Sequence, residues 1–404
     1  MSDKKYLFKR NNVWWVKLAV PLSLRSELGY DLRRTTGEKD LDKAIPIRDK
    51  IIEEFKTEFQ IRKVNADDKG IVLRGTEHMQ KTDISDPQYF HKVVDCQYAC
   101  PAHTNVPEYI RLIAQKKYDD AYMLNWESNV FPGILGRTCD RPCEPACRRG
   151  RTHDKPVAIC RLKRVTYDYK NDIDPYLPDI PKVKNGKKIG LIGAGPASLT
   201  VARDLLPLGY EVTIFEKDNK PGGLMRTNIP SFRLPAEVLD EEVYRIIKMG
   251  AELKTNSYID SLEKVIDSFD AVFVGTGAPK GKDLEIPGRK EASENIHIGI
   301  DWLTSIAFEH TKSIGKKVIV IGGGNTAMDC CRTAIRLGAD DVKVTVRSPK
   351  SDMKASDWEL EEAIDEGIPI LDNTSPKEFL LDDEGKLKGM KFEKMEAQYT
   401  DGKR

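Results

Sequence analysis

The sequence predicts an α/β protein with a small N-terminal α+β hairpin-helix module, a helical domain and two doubly wound Rossmann-like domains. The strongest observation is a repeat, because residues 186–195 (GKKIGLIGAG) return in nearly the same form as residues 315–324 (GKKVIVIGGG). Each copy is a short apolar run followed by clustered glycines and an apolar helical pattern, as at the start of a dinucleotide-binding unit. Strands and helices also alternate from Lys187 onward, which is typical of a parallel sheet. Two such openings in one chain indicate two nucleotide cofactors.

The N-terminal module is predicted from residues 1–64. Apolar segments at residues 6–8 and 13–20 flank an Asn-Asn pair, and this pattern predicts a β-hairpin. A charged helix with one apolar stripe is expected from about Leu41 to Phe59.

Two short motifs in this module resemble the N-terminal region of phage-type tyrosine recombinases. They are residues 20–24 (VPLSL) and residues 33–37 (RRTTG). The segment is basic, which is compatible with contact with DNA. The interpretation that we favour is a small fused module, such as the product of a gene rearrangement.

Length and charge exclude several classes of protein. The 404 residues are enough for two to four domains, each with its own core. The net charge is only +1 at pH 7, so overall charge does not favour nucleic acid or an anionic membrane as a partner. No apolar run reaches the roughly 18–20 residues that cross a bilayer, and the charged start has no signal-peptide core. We therefore expect a cytoplasmic protein without a membrane partner.

Six of the eight cysteines are concentrated in one region, and the other two are neighbours in a later helix. The first two of these six form one group, the next three form a second group, and the last stands apart. Within each group three residues separate successive cysteines, which places the thiolates one helical turn apart or around one loop. Adjacent prolines shield the thiolates without competing amide donors, as in iron–sulfur loops. Zinc is the alternative, although its structural sites more often show two-residue gaps. The six candidate ligands are Cys96, Cys100, Cys139, Cys143, Cys147 and Cys160, whereas Cys330 and Cys331 are expected to be small core residues.

Polar and proline-rich stretches suggest where the domains end. A polar stretch follows residue 64, and three prolines lie between residues 172 and 186. The region between the two stretches reads as helical and carries the cysteines. The predicted domains are 1–64 (the N-terminal module), 65–182 (a helical iron–sulfur domain), 183–285 (the first nucleotide-binding domain) and 286–404 (the second).

The first nucleotide-binding turn follows a strand predicted at Lys188–Ile192. Gly193 allows the tight turn, and Gly195 lets the backbone approach a pyrophosphate at the N-terminus of the next helix. The next strand, Glu211–Phe215, is followed by Glu216, whose carboxylate is placed to accept ribose hydroxyls. The candidate residues of this site are Gly193, Gly195, Pro196, Ala197, Ser198, Glu216, Lys217, Gly223, Leu224, Thr276 and Gly277.

The second turn repeats this pattern, with Asn325 and Thr326 expected to reach phosphate oxygens. Its second strand, predicted at Val342–Val346, is followed by Arg347 instead of an acidic residue. A cation at this position suits a 2′-phosphate, so NADPH is favoured over NADH. The candidate residues of this site are Gly322, Gly323, Gly324, Asn325, Thr326, Ala327 and Arg347.

From about residue 95 to its end, the chain resembles the family of the glutamate synthase small subunit and the N-terminal half of dihydropyrimidine dehydrogenase. The motifs that carry this resemblance are residues 100–101, 129–132, 136–139, 143–147, 193–197 and 323–329. The resemblance implies an oxidoreductase that depends on FAD, NADPH and iron–sulfur clusters. FAD is then the ligand of the first turn. Met353, Ala355 and Glu359 fall in a family motif near the nicotinamide, where Lys354 replaces the usual proline.

The resemblance also assigns cluster ligands, since the family binds two 4Fe-4S clusters in its helical domain. The ligands implied for the first cluster are Cys100, Cys139, Cys143 and Cys160. Cys96 and Cys147 then belong to the second cluster. The usual upstream cysteine pair is missing here, and Gln88 and His91 stand in its place. We therefore predict one cluster and leave the second open.

The predicted function is that of an NADPH-dependent flavin oxidoreductase subunit. Electrons would pass from NADPH through FAD to the 4Fe-4S cluster and on to a partner, either a larger catalytic subunit or another acceptor. In the family the FAD domain resumes after the NADPH domain, whereas this chain stops at Arg404. We expect either a fragment or completion by a separate polypeptide. The alternatives are an inactive truncated or fused gene product and a DNA-binding module formed by residues 1–64.

Overall fold

The computed structural model describes residues 6–10, 12–19, 31–67, 94–153 and 155–399. The chain divides into two compact units, Met1–Thr82 and Asp83–Arg404. The VPLSL motif at residues 20–24, and Gln88 and His91, lie outside the described residues.

The first unit contains a three-stranded antiparallel sheet and one long helix. Strands β1 (Leu7–Arg10), β2 (Val13–Ala19) and β3 (Asp31–Thr35) lie in that order, so the predicted hairpin is confirmed. Helix α1 covers Leu41–Asp67, and the predicted end near Phe59 was wrong. Buried apolar residues of this helix, among them Phe55, pack against β2 and form a small core.

The second unit begins with a helical region, as predicted. Asn105 caps the N-terminus of its second helix, because the Asn105 side chain accepts the backbone N–H of Glu108 at 3.3 Å. The helices are α2 (Asp95–Ala99), α3 (Val106–Ala114), α4 (Tyr118–Asn129), α5 (Pro132–Thr138), α6 (Arg149–Thr152) and α7 (Ile159–Asp168).

A four-stranded parallel sheet follows this helical region. Its strands are β4 (Lys188–Ile192), β5 (Glu211–Phe215), β6 (Glu252–Lys254) and β7 (Ala271–Val274), arranged in the order β6-β5-β4-β7. The helices within this part are α8 (Pro196–Leu205), α9 (Leu224–Thr227) and α10 (Ala236–Lys248). Because β4 and β5 are parallel and joined through α8, the predicted strand–turn–helix opening is confirmed.

A second parallel sheet and a hairpin complete the described part of this unit. The sheet consists of β8 (Lys317–Ile321), β9 (Asp341–Thr345) and β10 (Ile370–Leu371), in the order β10-β9-β8. Its helices are α11 (Gly299–Ala307), α12 (Asn325–Arg336) and α13 (Asp357–Asp365). An antiparallel hairpin follows, formed by β11 (Thr374–Leu381) and β12 (Leu387–Lys394).

Two large apolar cores lie within the second unit. One joins the helical region to the first parallel sheet, with Trp126 and Leu191 among its members. The other covers one face of the second sheet and includes Cys330 and Cys331, as expected for small core residues. Within the described ranges, every helix is too short or too polar to cross a lipid bilayer.

Candidate functional site

The first glycine turn connects β4 to α8. Gly193 has a φ of +91°, and a Cβ there would lie 2.6 Å from the carbonyl oxygen of Gly275. Gly195 is the N-cap of α8, so the free amides at the start of this helix face the turn. Such a helix start provides N–H donors and a positive dipole end for a phosphate group.

Two segments from later in the sequence contact this turn: the one that contains Gly275, described above, and the one that contains Gly222 and Gly223. Gly223 has a φ of +52°, and a Cβ there would lie 2.7 Å from the Cα of Gly195. The N–H of Gly222 donates to the carbonyl oxygen of Ala194 at 2.9 Å. Only glycine permits this approach of two backbones. The structure therefore brings together the three segments that the sequence analysis assigned to one nucleotide site.

Glu216 lies beside the turn and is almost fully buried. Its carboxylate accepts the N–H of Ala194 at 2.8 Å and the N–H of Asp218 at 3.0 Å. Each carboxylate oxygen has a second lone pair, which remains available to a ribose hydroxyl. Lys217 forms an ion pair with Asp218.

The remaining candidates of the first site lie around the turn. Pro196, Ala197, Thr276 and Gly277 are exposed, and Leu224 begins α9. Ser198 is buried beneath them, and among the described residues its hydroxyl has no hydrogen-bond partner. The N–H donors of α8 and the carboxylate of Glu216 fit a dinucleotide such as FAD.

The second glycine turn connects β8 to α12. Gly322 has a φ of +143°, and Gly324 is the N-cap of α12. A Cβ on Gly324 would meet nothing within 4 Å, so there is space for a phosphate at this helix start. The carbonyl oxygen of Gly323 accepts the N–H groups of Lys354 and Ala355, both at 2.9 Å. The family motif near residue 355 therefore holds the turn in place.

The residues that were predicted to contact phosphate groups at the second turn lie in different environments. The side chain of Asn325 accepts the N–H of Ser356 at 2.8 Å, so it braces α13 in the structure. Thr326 is exposed at the turn, and Ala327 is buried beneath it. Arg347 is exposed beyond the end of β9, at the same edge of the sheet.

Two of the candidate thiols, those of Cys143 and Cys160, are buried close to other candidate thiols. Burial raises the pKa of the Cys143 thiol to about 12, and Cys139 and Cys100 add to this increase. Burial also raises the pKa of Cys160, to which Cys139 contributes. These four thiols are the set that the family resemblance assigns to the first cluster, and four thiolates match the requirement of a 4Fe-4S cubane.

The other two candidate thiols, those of Cys96 and Cys147, form a second pair. Burial raises the pKa of Cys96, and the next largest contribution comes from Cys147. The carboxylate of Asp95 is buried and accepts hydrogen bonds from the Arg148 guanidinium at 2.9 and 3.1 Å. Because Asp95 precedes Cys96 and Arg148 follows Cys147, this ion pair ties the two cysteine-bearing segments together. Within the described ranges, no three His, Cys, Asp or Glu side chains form a site for a single metal ion.

Tyr109 lies among these thiols and was missed by the sequence analysis. Its side chain is fully buried, and its hydroxyl donates to the carbonyl oxygen of Ile159 at 2.9 Å. Burial raises the pKa of Tyr109, and four of the cysteines raise it further. In the sequence Tyr109 is only one apolar position of an amphipathic helix, which gives no sign of its neighbours.

Glu242, on helix α10 beside the first parallel sheet, binds the cysteine region and was also missed by the sequence analysis. Its carboxylate accepts the N–H groups of Gly133 and Ile134 at 2.7 and 3.0 Å, and the Tyr122 hydroxyl at 2.9 Å. The N-terminus of helix α5 therefore lies against a carboxylate from α10, and the helix ends just before Cys139.

The fold and these sites together define a flavin- and nicotinamide-dependent reductase with an iron–sulfur domain. Two family profiles match the chain: pyridine nucleotide-disulphide oxidoreductase over residues 187–402, and dihydropyrimidine dehydrogenase domain II, 4Fe-4S cluster, over residues 89–174. The chain belongs to the pyridine nucleotide-disulphide oxidoreductase family, in the group of the glutamate synthase small subunit and the N-terminal half of dihydropyrimidine dehydrogenase. Its cofactors are accordingly FAD, NAD(P)H and a 4Fe-4S cluster.

Three relatives illustrate the similarity. The NADPH-Fe(3+) oxidoreductase subunit beta of Geobacter sulfurreducens is 34% identical over 80% of this chain and 51% of its own length. The glutamate synthase (NADPH) small chain of Azospirillum brasilense is 34% identical over 71% of this chain and 63% of its own length. The NAD-dependent dihydropyrimidine dehydrogenase subunit PreT homolog of Salmonella typhi is 34% identical over 70% of this chain and 68% of its own length.

The chain spans about half the length of the first of these relatives. Both family profiles begin after the N-terminal module, at residue 89 or later, so the recombinase resemblance of residues 1–64 has no support from them. The alternative of a DNA-binding module is not favoured.

Proposed function

We propose that this chain passes electrons from NADPH through FAD to a 4Fe-4S cluster and on to a partner protein. The cofactors, when bound, supply hydride uptake from the nicotinamide and one-electron exchange with the cluster. The chain itself binds, orients and shields them. The observation that carries the proposal is the convergence of Gly193, Gly223 and Gly275 at one helix start, with a second glycine turn in the same compact unit.

We assign FAD to the first turn and NADPH to the second. The N–H groups at the start of α8 bind the FAD pyrophosphate, and Glu216 accepts ribose hydroxyls. The start of α12 binds the phosphates of NADPH, and Arg347 contacts its 2′-phosphate. The exposed guanidinium at the correct end of β9 supports this last assignment.

For the cluster, we propose that the ligands are the four thiols that the family resemblance implies, those of Cys100, Cys139, Cys143 and Cys160. The second pair, Cys96 and Cys147, belongs to a separate site. We also propose that the chain consists of four domains, at residues 1–64, 65–182, 183–285 and 286–404.

The partner is proposed to be a larger protein subunit or another electron acceptor. Several relatives are named as subunits, among them small chains of glutamate synthase, which supports an acceptor on another chain. We also propose a cytoplasmic location, because the eight cysteines are free thiols, as is usual in a reducing compartment.

Anaerobic mixing with NADPH tests the central proposal. After reconstitution with FAD, iron and sulfide, we expect the flavin and iron–sulfur absorbance bands to bleach when NADPH is added. The control is the same preparation mixed with NADP+, which carries no hydride. A preparation that holds FAD and iron in full and does not bleach contradicts the proposal.

Arg347 provides a test of the choice of nicotinamide. We expect Arg347→Ser to weaken NADPH binding by about tenfold, equivalent to about 1.4 kcal/mol, because a charge-assisted contact with the 2′-phosphate is lost. Binding of NADH, which lacks this phosphate, should stay within twofold when both ligands are titrated against the protein. Lys317→Ser is the matched control, since Lys317 is an exposed cation at the opposite end of β8. Equal weakening of both nucleotides would show that Arg347 does not read the 2′-phosphate.

A further inference from the structure

Arg233 lies at the centre of a buried ion cluster that joins three parts of the second unit. It belongs to the segment between α9 and α10, and its side chain is only 8% exposed. One guanidinium nitrogen lies 2.7 and 2.8 Å from the two carboxylate oxygens of Asp329 on α12. The other terminal nitrogen forms an ion pair with Glu359 on α13.

The carboxylates of Asp329 and Glu359 are both buried, and a second arginine lies near them. Arg332, also buried, lies 3.6 Å from Glu359 and pairs with Glu362 at 2.6 Å. Burial raises the pKa of Glu359 to about 7, although the charge of Arg233 acts in the opposite direction. Buried ion pairs of this kind give little net stability compared with apolar residues of the same size. Their geometry, by contrast, permits few arrangements of the elements that carry them.

Trp358 connects the cluster to the cysteine region. The Arg233 guanidinium lies 5.3 Å from the centre of the Trp358 ring, and the Arg141 guanidinium lies 4.3 Å from it. The backbone N–H of Arg141 donates to the sulfur of Cys139 at 3.4 Å. The neighbouring Asp140 accepts the hydroxyl of Ser356 at 3.0 Å, next to α13. A segment of each of the three cofactor-binding parts therefore meets at one ring.

The ion cluster is coupled directly to the second glycine turn. Asp329 lies in α12, the helix that Gly324 caps. Glu359 lies in α13, just after the segment whose N–H groups hold the Gly323 carbonyl oxygen. A shift of either carboxylate would therefore move the phosphate-binding backbone. Hydride transfer requires reacting atoms about 3–3.5 Å apart, and a displacement of about 1 Å costs about a hundredfold in rate.

We propose that Arg233 is a positioning residue, which holds α12 and α13 in one orientation relative to the first glycine turn and the cysteine loop. The inference rests on the proposed electron transfer for the effect on hydride transfer, whereas its geometry rests on the ion cluster and the Trp358 ring. Arg233 itself need not touch the reacting atoms. It acts through Asp329, Glu359 and Trp358.

Hydrogen–deuterium exchange of the full chain without cofactors tests the geometry. We expect Arg233→Met to increase amide exchange at least threefold in residues 325–336 and 357–365 and in the 139–143 loop, with residues 188–205 unchanged. Arg233→Lys keeps the charge but loses the planar fork, so it should give a smaller increase. Arg164→Met is the control, because Arg164 makes an exposed ion pair with Asp168 inside α7. Unchanged exchange in α12 and α13 of Arg233→Met overturns the proposal.

If Arg233→Met does not fold, Arg233→Lys and Glu359→Gln provide the same comparison. With cofactors restored, we expect hydride transfer from NADPH, measured at saturating NADPH so that weaker binding does not limit the rate, to slow at least tenfold in these variants. An unchanged hydride-transfer rate despite faster exchange also overturns the positioning role. Because the exchange experiment uses no cofactor, it separates this inference from the proposed electron transfer, which fails only if the wild-type chain does not bleach.

Discussion

Cys143→Ala is expected to remove the 4Fe-4S cluster and to lower the iron content by about four atoms per chain. Cys143 is buried, and the charges of Cys139 and Cys100 act on its thiol, so we expect its loss to leave the cluster without one of its four ligands. The measurement is iron and acid-labile sulfide per chain in anaerobically purified protein, together with the iron–sulfur absorbance. Thermal unfolding of the same samples shows whether the variant remains folded.

Two variants control this experiment. Cys330→Ala removes a buried thiol from the other core and should leave the iron content unchanged. Cys96→Ala removes a thiol of the second pair and should leave the first cluster in place. Full iron in Cys143→Ala, or the same iron loss in Cys330→Ala, would contradict the ligand assignment.

Glu242→Ala is expected to lower the free energy of unfolding by about 3–5 kcal/mol. The change leaves the N–H groups of Gly133 and Ile134 and the hydroxyl of Tyr122 without their buried acceptor. Denaturant unfolding of the full chain measures the loss. Glu237→Ala is the matched control, because Glu237 is exposed on the same helix, and its effect should stay within about 0.5 kcal/mol. A loss below about 1 kcal/mol in Glu242→Ala would show that water or a neighbouring group replaces the carboxylate.

The pH dependence of stability offers a second test of Glu242. Burial raises its pKa from 4.5 to about 7, although three hydrogen-bond donors and Arg245 act in the opposite direction. Between these two values the folded state binds a proton that the unfolded state does not bind. The stabilisation from this proton is therefore complete below pH 4.5 and is lost as the pH rises to about 7.

Glu242→Gln removes this titration. The free energy of unfolding of the wild type should therefore fall relative to that of Glu242→Gln between pH 5 and 7, by at most about 3 kcal/mol. Parallel pH profiles for the two proteins would mean that the carboxyl is ionised throughout this range.

Local patterns were sufficient for many elements of the fold. The strands at Lys188–Ile192 and Glu211–Phe215 were predicted and found with the same bounds, because a short apolar run that stops at a glycine or a charge is a local signal. The end of α1 was misplaced, since charged residues continue a helix without any change of pattern. Strand β3 was not predicted, because the RRTTG segment has no apolar alternation.

The sequence by itself determined the fold class and the two glycine turns, and the family resemblance of its motifs implied the cofactors. The turns depend on residues close together in the chain, where spacing controls backbone geometry. Only the tertiary structure decided the roles of Tyr109, Glu242 and Arg233. Their partners lie far away in sequence, as with Glu242 and Gly133, which are separated by 109 residues. Burial and ion pairing depend on which distant segments come into contact, and the spacing of residues along the chain does not reveal those contacts.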